Sequence, residues 1–342
     1  MRHHPAYRER MSKRSFSIPL VVLFEHPSWQ EPLFAALREA KVAFEPFDLK
    51  SACFGGHDVP QAQLYFNQAS PSSYVRGNAR SVPFALAFME NLELAGARVL
   101  NGSRPFALEL SKSTQVALMQ KLGIPHPRSF IFNDPKALRA RESELTFPAI
   151  LKPNQGGSGA RMYKVENLNE LEHLLATQPE LWLPDNLLLL QEYLPHEPEN
   201  GIIRLEFLGG ELLYAMRVIA PGQFNLCPSE ICHPESGSKN PDGAEVCVIQ
   251  PAAVAAKFLP YPEVPKEAVE QAKQIIKAGK LDVGGIEYLD TSDGRRVFYD
   301  VNANSNLRPS VAAAFGFDPF QRVVQYLKRE LAGEASGVRR VG

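Results

Sequence analysis

The stretch Leu151-Lys152-Pro153-Asn154-Gln155-Gly156-Gly157-Ser158-Gly159 constrains this chain more than any other segment. It continues the apolar pair Ala149-Ile150, so Lys152 leaves a strand and enters a loop carrying Gly156, Gly157 and Gly159. Proline ends the ladder, and glycines let backbone N–H groups approach an anion that bulkier residues would hold off. A solvated lysine ahead of a turn is the commoner fate of lysines. Three glycines directly after this one favour a phosphate-holding loop, to which Ser158 can add a hydroxyl.

Around that loop the pattern is α/β, with α+β character in the later part. Ile18–Phe24 reads as a strand, Pro32–Ala40 as a helix and Val42–Phe47 as a second strand, which is a β-α-β opening. A strand at Gln63–Asn67, a helix over Val82–Ala95 and a strand at Arg98–Asn101 complete a small parallel-sheet unit. Ser103-Arg104-Pro105 then starts one helix over Phe106–Leu122, stopped by Gly123-Ile124-Pro125. Strands follow near Ser129–Phe132, Ala149–Lys152, Met162–Val165 and Leu187–Gln191, with a helix at Leu168–Ala176. The strand-loop-strand carrying the glycines is expected to close over its ligand as a lid.

From Gly201 onward, Ile202–Phe207 and Leu212–Ile219 read as a hairpin around Gly209-Gly210. Gln223–Ala253 reads as a long polar loop, Lys266–Ala278 as an amphipathic helix, and Phe320–Leu331 as a terminal helix. Val283–Leu289 and Arg296–Asn302 pair around Ser292-Asp293-Gly294. The expected units are a flexible tail (1–15), an N-terminal domain (16–102), a central and lid subdomain (103–194), a C-terminal subdomain (195–332) and a tail (333–342). Met11 is a second candidate start.

Paired strands bring chemistry together. Residues two apart face one side, so Asp300 and Asn302 project together while Val301 faces the core, with Glu287 opposite on the neighbouring strand. Such oxygen donors suit Mg²⁺, with Mn²⁺ as an alternative. A surface hairpin with ordinary acidic residues is the competing reading; the flanks Val297-Phe298-Tyr299 and Gly285-Ile286 favour a lined cleft. Asn304 extends this set. Gln191-Glu192-Tyr193-Leu194 ends a leucine strand at Pro195, so its backbone either meets an adenine edge or is only a strand end. Arg76 and Arg80 follow the third strand of a parallel sheet, where ligands gather, and are candidates for an acidic substrate. Arg308, past the metal strand, is another.

A formal net charge of -1 over 342 residues gives no general attraction to nucleic acid or anionic lipid. The basic N-terminus precedes an apolar run too short for a signal peptide or a membrane span. Cys53, Cys227, Cys232 and Cys247 lack the density of a disulfide scaffold and the Cys-x-x-Cys pairs of zinc knuckles, so a cytoplasmic location is the default.

Taken in order, Lys112, Lys152 to Gly159, Gln191 to Leu194, Glu287 and Asp300-Val301-Asn302 resemble the ATP-grasp superfamily, and within it the glutathione-synthetase and ribosomal-protein glutamate ligase branch. The likeness spans about Phe16 to Leu331. It implies an ATP-grasp fold behind a parallel β-α-β preATP-grasp domain, with ATP and Mg²⁺ as cofactors. The implied activity is a carboxylate-amine ligase that makes an acyl phosphate, with small or peptidic acid and amine substrates and a homodimer as candidate assembly. A kinase on the same scaffold and a non-catalytic ATP-binding module are the alternatives.

By that resemblance Lys112 and Lys152 reach the nucleotide, Tyr193 and Leu194 supply the adenine edge, and Arg204 meets the acyl phosphate or substrate carboxylate through its bidentate fork. Arg204 and Lys152 are then the catalytic pair. The competing role for Arg204 is a cross-strand salt bridge to Glu206 or Glu211. The chain departs from the branch at Ile202-Ile203, where an acidic residue commonly precedes the arginine strand, so the ribose contact falls to Glu197 or Glu199. It departs again over Phe224-Asn225-Leu226-Cys227, a segment expected to set substrate choice, with Asn225 as its candidate contact.

Overall fold

The structure is a computed structural model and describes residues 17–56, 61–157, 159–220, 256–305 and 307–333. The two expected tails, the 223–253 loop with Asn225, Cys227, Cys232 and Cys247, and Ser158 and Asn306 lie outside the described residues.

The first unit runs β1 (Ile18–Phe24), α1 (Pro27–Glu39), β2 (Phe44–Asp48), β3 (Ala62–Gln68), α2 (Ser81–Leu94) and β4 (Arg98–Leu100). Its sheet has the order β2-β1-β3-β4 with every pairing parallel. Both faces of β1 are covered: Leu20 and Val22 pack with Leu37 of α1, whereas Val21 and Leu23 pack with Met89 of α2. Helix α1 starts five positions before the expected Pro32, because the His26 side chain accepts from Trp29 N–H and Pro27 occupies the first turn, where its missing N–H costs nothing.

The expected single helix is two, α3 (Ser103–Leu110) and α4 (Lys112–Leu122). Ser111 breaks them with extended backbone (φ -126°, ψ 99°), and its hydroxyl accepts from Thr114 N–H to cap α4. Lys112 therefore opens a helix, where the expectation had it inside one.

A second sheet, β5 (Ser129–Phe132), β6 (Ala149–Pro153), β7 (Tyr163–Val165) and β8 (Leu188–Glu192), has the order β5-β8-β6-β7 and is antiparallel throughout. The short α5 (Pro135–Arg139) and α6 (Leu168–Thr177) accompany it, and Leu171, Leu151, Leu188 and Leu190 share one core. The glycine loop joins β6 to β7, as a lid hairpin requires.

The third sheet contains β9 (Ile202–Leu208), β10 (Glu211–Ile219), β11 (Lys257–Pro260), β12 (Val283–Asp290) and β13 (Arg296–Asn302) in the order β11-β10-β9-β12-β13. Leu205, Phe207, Ile286 and Val301 bury one face against α7 (Lys266–Gly279) and Met119 of α4. After β13 come α8 (Pro309–Ala313) and α9 (Pro319–Ala332), whose Val324 and Leu327 share a core with Leu20, Leu64 and Leu37 of the first unit. The chain end thus ties the third sheet to the first.

Candidate active site

On the face of the third sheet opposite Leu205, Phe207 and Ile286, charged residues stand among apolar ones such as Ile202, Met216 and Leu289. Register places Glu287 beside Arg204 on one side and Asp300 on the other, while Gly285 pairs with Glu206 and Asn302. Period two then sets Arg204, Glu206, Glu287, Asp300 and Asn302 on one surface. The register shifts after Glu287, which pairs with Asp300 while Tyr288 pairs with Phe298. Tyr299 is the extra residue of this bulge, and bulges re-aim side chains. Expected as an apolar flank, Tyr299 instead donates its hydroxyl to Glu287 Oε2 at 2.9 Å. Gly285 is required locally, since a Cβ there would lie 2.3 Å from Arg204 Nη2.

Charges on this face are matched. Buried Arg204 donates from Nε to Glu206 Oε1 at 2.6 Å and from Nη1 to Glu287 Oε1 at 2.7 Å. Burial alone would lower its pKa, but the two carboxylates outweigh that and raise it. Burial pushes the Glu287 carboxyl up, against the pull of Arg204. Burial also opposes ionisation of Asp300, yet the Lys112 ammonium paired with its Oδ1 holds its pKa below the ordinary value. The expected ion pair of Arg204 with Glu206 is thus present, but along one strand, and the cross-strand partner is Glu287.

The β6–β7 connection and β8 border the other side. Lys152, 3% exposed, donates to Gln191 Oε1 at 2.8 Å, and desolvation followed by repulsion from Lys112 lowers its pKa to about 7. Asn154, which the sequence reading passed over, accepts from Lys112 N–H through its backbone oxygen at 3.2 Å and from Ser113 N–H through Oδ1 at 2.9 Å. Loop and α4 are thereby one piece, so the two lysines are held together. Gly157 lies against the loop after β3: a Cβ on it would stand 2.5 Å from Ser72 Cβ and 2.9 Å from Ser72 N.

These surfaces enclose one cavity of about 540 Å³. Its lining includes Lys112, Lys152, Gly156, Gly157, Gly159, Gln191, Glu192, Tyr193, Leu194, Arg204, Glu287, Asp300, Asn302 and Asn304. Positions far apart in the chain meet there, as in the Lys112–Asp300 pair, 188 residues apart.

Several expected contacts fall elsewhere. Arg76 is not in the lining: its guanidinium is engaged by Glu25, by Ser72 Oγ at 3.0 Å and by the Trp29 ring at 4.6 Å, so its charge is already neutralised. Arg308 is buried over the Phe258 ring at 4.2 Å, away from the lining, because its backbone N–H is anchored to Tyr214 Oη. Glu199 is exposed in the 195–201 connection and outside the lining, while His196 and Pro198 are inside it. Tyr193 N–H donates to Pro148 O at 3.2 Å, leaving Leu194 N–H as the remaining donor of the expected adenine edge.

The lining also contains Glu109 of α3, Trp29, Ser70 and Ser72, which the sequence reading did not single out. Glu109 had one signal, a lone acid within the apolar run Phe106-Ala107-Leu108-Glu109-Leu110. Desolvation raises its pKa to about 8, with Asp300 adding to the rise and the Asn304 N–H, Lys112 and Arg204 opposing it.

The donor set of Glu287, Asp300 and Asn302 fits Mg²⁺. Two carboxylates and an amide on adjacent strands leave coordination positions to water and phosphate oxygens, which is how Mg²⁺ is commonly held beside a polyphosphate. Among the described residues no group of three or more His, Cys, Asp or Glu side chains forms a self-sufficient cage.

No family model matches the chain. A probable alpha-L-glutamate ligase of Haemophilus influenzae is 23% identical over 280 residues, covering 79% of this chain and 84% of that protein. The RimK domain protein ATP-grasp from Sphaerobacter thermophilus superimposes with a TM-score of 0.64 at 14% identity, covering 90% of this chain and 98% of the other. The chain has the ATP-grasp fold. The ATP-grasp ligase PsnB, in complex with a phosphomimetic variant of its minimal precursor, Mg and ADP, gives a TM-score of 0.60 at 19% identity over 92% of this chain and 99% of that one. Among the described residues no helix is long and apolar enough to cross a membrane.

Proposed function

We propose that this chain is an ATP-dependent carboxylate-amine ligase that forms an amide through an acyl phosphate and releases ADP and phosphate. The observation that carries the reading is the single cavity shared by Lys112, Lys152 and the glycine loop on one side and Glu287, Asp300 and Asn302 on the other. ATP and an ionised acid are both anionic, so their approach needs fixed positive charge and exclusion of water. Lys112, Lys152 and Arg204 supply the charge. Gly156 and Gly157 bring lid backbone within reach of phosphate oxygens, and the Gln191–Leu194 segment borders the adenine.

Glu287, Asp300 and Asn302 would hold Mg²⁺, which when bound neutralises phosphate charge and aligns the terminal phosphoryl group. Lys112 pairs with Asp300 in the protein alone, and its ammonium would turn to phosphate where that carboxylate holds the cation. The substrate carboxylate attacks the terminal phosphorus, ADP leaves, and an amine then displaces phosphate from the acyl carbon. Arg204 stabilises the acyl phosphate. No side-chain nucleophile takes part, and positioning carries most of the acceleration.

We assign the acid and amine to small amino acids or peptide termini and the location to the cytosol, supported by the near-neutral charge and the alpha-L-glutamate ligase among its relatives. The test is MgATP turnover with each amino acid, singly and in pairs, starting with L-glutamate, and with hydroxylamine in place of the amine. The expected result is ADP and free phosphate in equal amounts together with an amide or hydroxamate. A phosphorylated product without free phosphate identifies a kinase. ATP binding with no turnover under any pair identifies a binding module, and either outcome overturns the ligase reading.

A further inference from the structure

We infer that Gln115 is a positioning residue: its side-chain amide sets the strand carrying Asp300 and Asn302 against the start of α4, which carries Lys112. The inference rests on the ATP and Mg²⁺ reading above. Among the described residues β13 is the last strand of the third sheet, so no strand pairs its outer edge. An unpaired edge leaves outward N–H and C=O groups in need of partners, at a cost where they are buried. At Val301 one amide supplies both. Val301 N–H donates to Gln115 Oε1 at 3.1 Å, and Gln115 Nε2 donates to Val301 O at 2.9 Å. The remaining donor capacity of Nε2 goes to Leu108 O at 3.1 Å and Glu109 O at 3.3 Å, at the end of α3. Gln115, fully buried, thus stands in for a neighbouring strand at the one residue between Asp300 and Asn302.

Direction matters at this contact. The Val301 side chain shares a core with Met119, Ile286 and Phe298, and apolar burial tolerates sliding because it has no preferred direction. Two hydrogen bonds to one planar amide do not. Gln115 lies three residues after Lys112, on the same side of α4, and Lys112 pairs with Asp300, the residue before Val301. Lys112 N–H and Ser113 N–H are in turn bound by Asn154 of the glycine loop. A continuous line of contacts therefore runs from that loop, through the first turn of α4, to the backbone between Asp300 and Asn302. Without the Gln115 amide both donors remain, but their placement against Lys112 and the loop is no longer fixed. The loss falls on how well they hold a cation beside phosphate, and partners that orient metal-binding side chains commonly carry about ten- to a hundredfold in metal affinity.

The test is calorimetric binding of ADP, once with Mg²⁺ and once with a chelator, to wild type, Gln115→Met and Leu92→Ala, the last a truncation in the core of the first unit. Melting temperatures read general damage. Wild type should gain affinity when Mg²⁺ is present, and Gln115→Met should lose that gain while its metal-free ADP affinity stays within about threefold of wild type. Leu92→Ala should melt earlier and keep the gain. Gln115→Asn, whose amide is one methylene short of Val301, should behave as Gln115→Met does, and it decides the matter if the methionine variant does not fold. A gain retained without the Gln115 amide, lost equally in Leu92→Ala, or lost together with metal-free binding overturns the inference and leaves the ATP reading standing. A wild type that binds ADP no better with Mg²⁺, or not at all, overturns the metal assignment itself and this inference with it.

Discussion

Raising the pH tests the phosphate assignment of Lys152. In the protein alone its ammonium is buried, with Lys112 nearby, and its pKa is about 7. A polyphosphate beside it favours the charged form, so binding above that pH takes up a proton. The sign follows directly. Affinity is greatest below about pH 7 and falls roughly tenfold per unit above it, ~1.4 kcal/mol, until the higher pKa of the lysine in the complex is reached. Above about pH 7.5 the terminal phosphate of ATP is already ionised and adds no slope of its own. Calorimetric titration with MgATP between about pH 7.5 and 9, in two buffers of different ionisation enthalpy, reads both the slope and the proton. Lys152→Met should lose the slope and lower turnover by about two to three orders of magnitude, ~3 to 4 kcal/mol. A pH-independent wild-type affinity, or an unchanged slope in Lys152→Met, refutes the reasoning. Linkage also gives a check without nucleotide: the unfolded lysine, near ~10.4, binds the proton more tightly, so Lys152 makes folding more favourable as pH rises from about 7 toward 10.

Asp300→Asn should cut turnover by about a hundred- to a thousandfold and raise the Mg²⁺ concentration at half-maximal rate; an unaltered Mg²⁺ profile in steady-state kinetics would remove Asp300 from the metal site. Arg204→Met strands Glu206 and Glu287 in a buried setting and should cost about 3 to 5 kcal/mol in urea denaturation, whereas a cost below ~1 kcal/mol would mean the pairing contributes little. Gly157→Ala forces the lid off Ser72, since the new methyl would sit 2.5 Å from Ser72 Cβ, and the KM for ATP should rise roughly tenfold or more with little change in Tm. An unchanged KM would show that the loop seats elsewhere during turnover. Glu109→Gln should stabilise the protein in alkali: the raised wild-type pKa of about 8 costs stability progressively as pH climbs from the unfolded value near ~4.3, and the cost is complete above 8. Melting curves should separate most above pH 8 and converge toward about pH 4; parallel curves would argue that Glu109 titrates normally.

Much of the architecture was legible from neighbours in sequence. The apolar run Leu20 to Phe24, the leucines before Gln191 and the alternation from Val297 to Asn302 each carry their strand, because period and turn chemistry act over a few residues. The same local rules put Glu287, Asp300 and Asn302 on one side, and the order of lysine, glycine loop and acidic strand pointed to ATP-grasp. What a side chain does after reaching its place depended on partners far along the chain. Arg76 looked available until Glu25, 51 residues earlier, was found against it. Ser111 divides a helix that periodicity left whole, because its own cap and Asn154 from the lid both stabilise a new start at Lys112. Tyr299 reached the cavity through a bulge defined only against its neighbouring strand, and Glu109 acquired its high pKa only through burial by the assembled units. Backbone preference is a local energy, whereas charge pairing and desolvation are set by atoms that tertiary packing alone brings near.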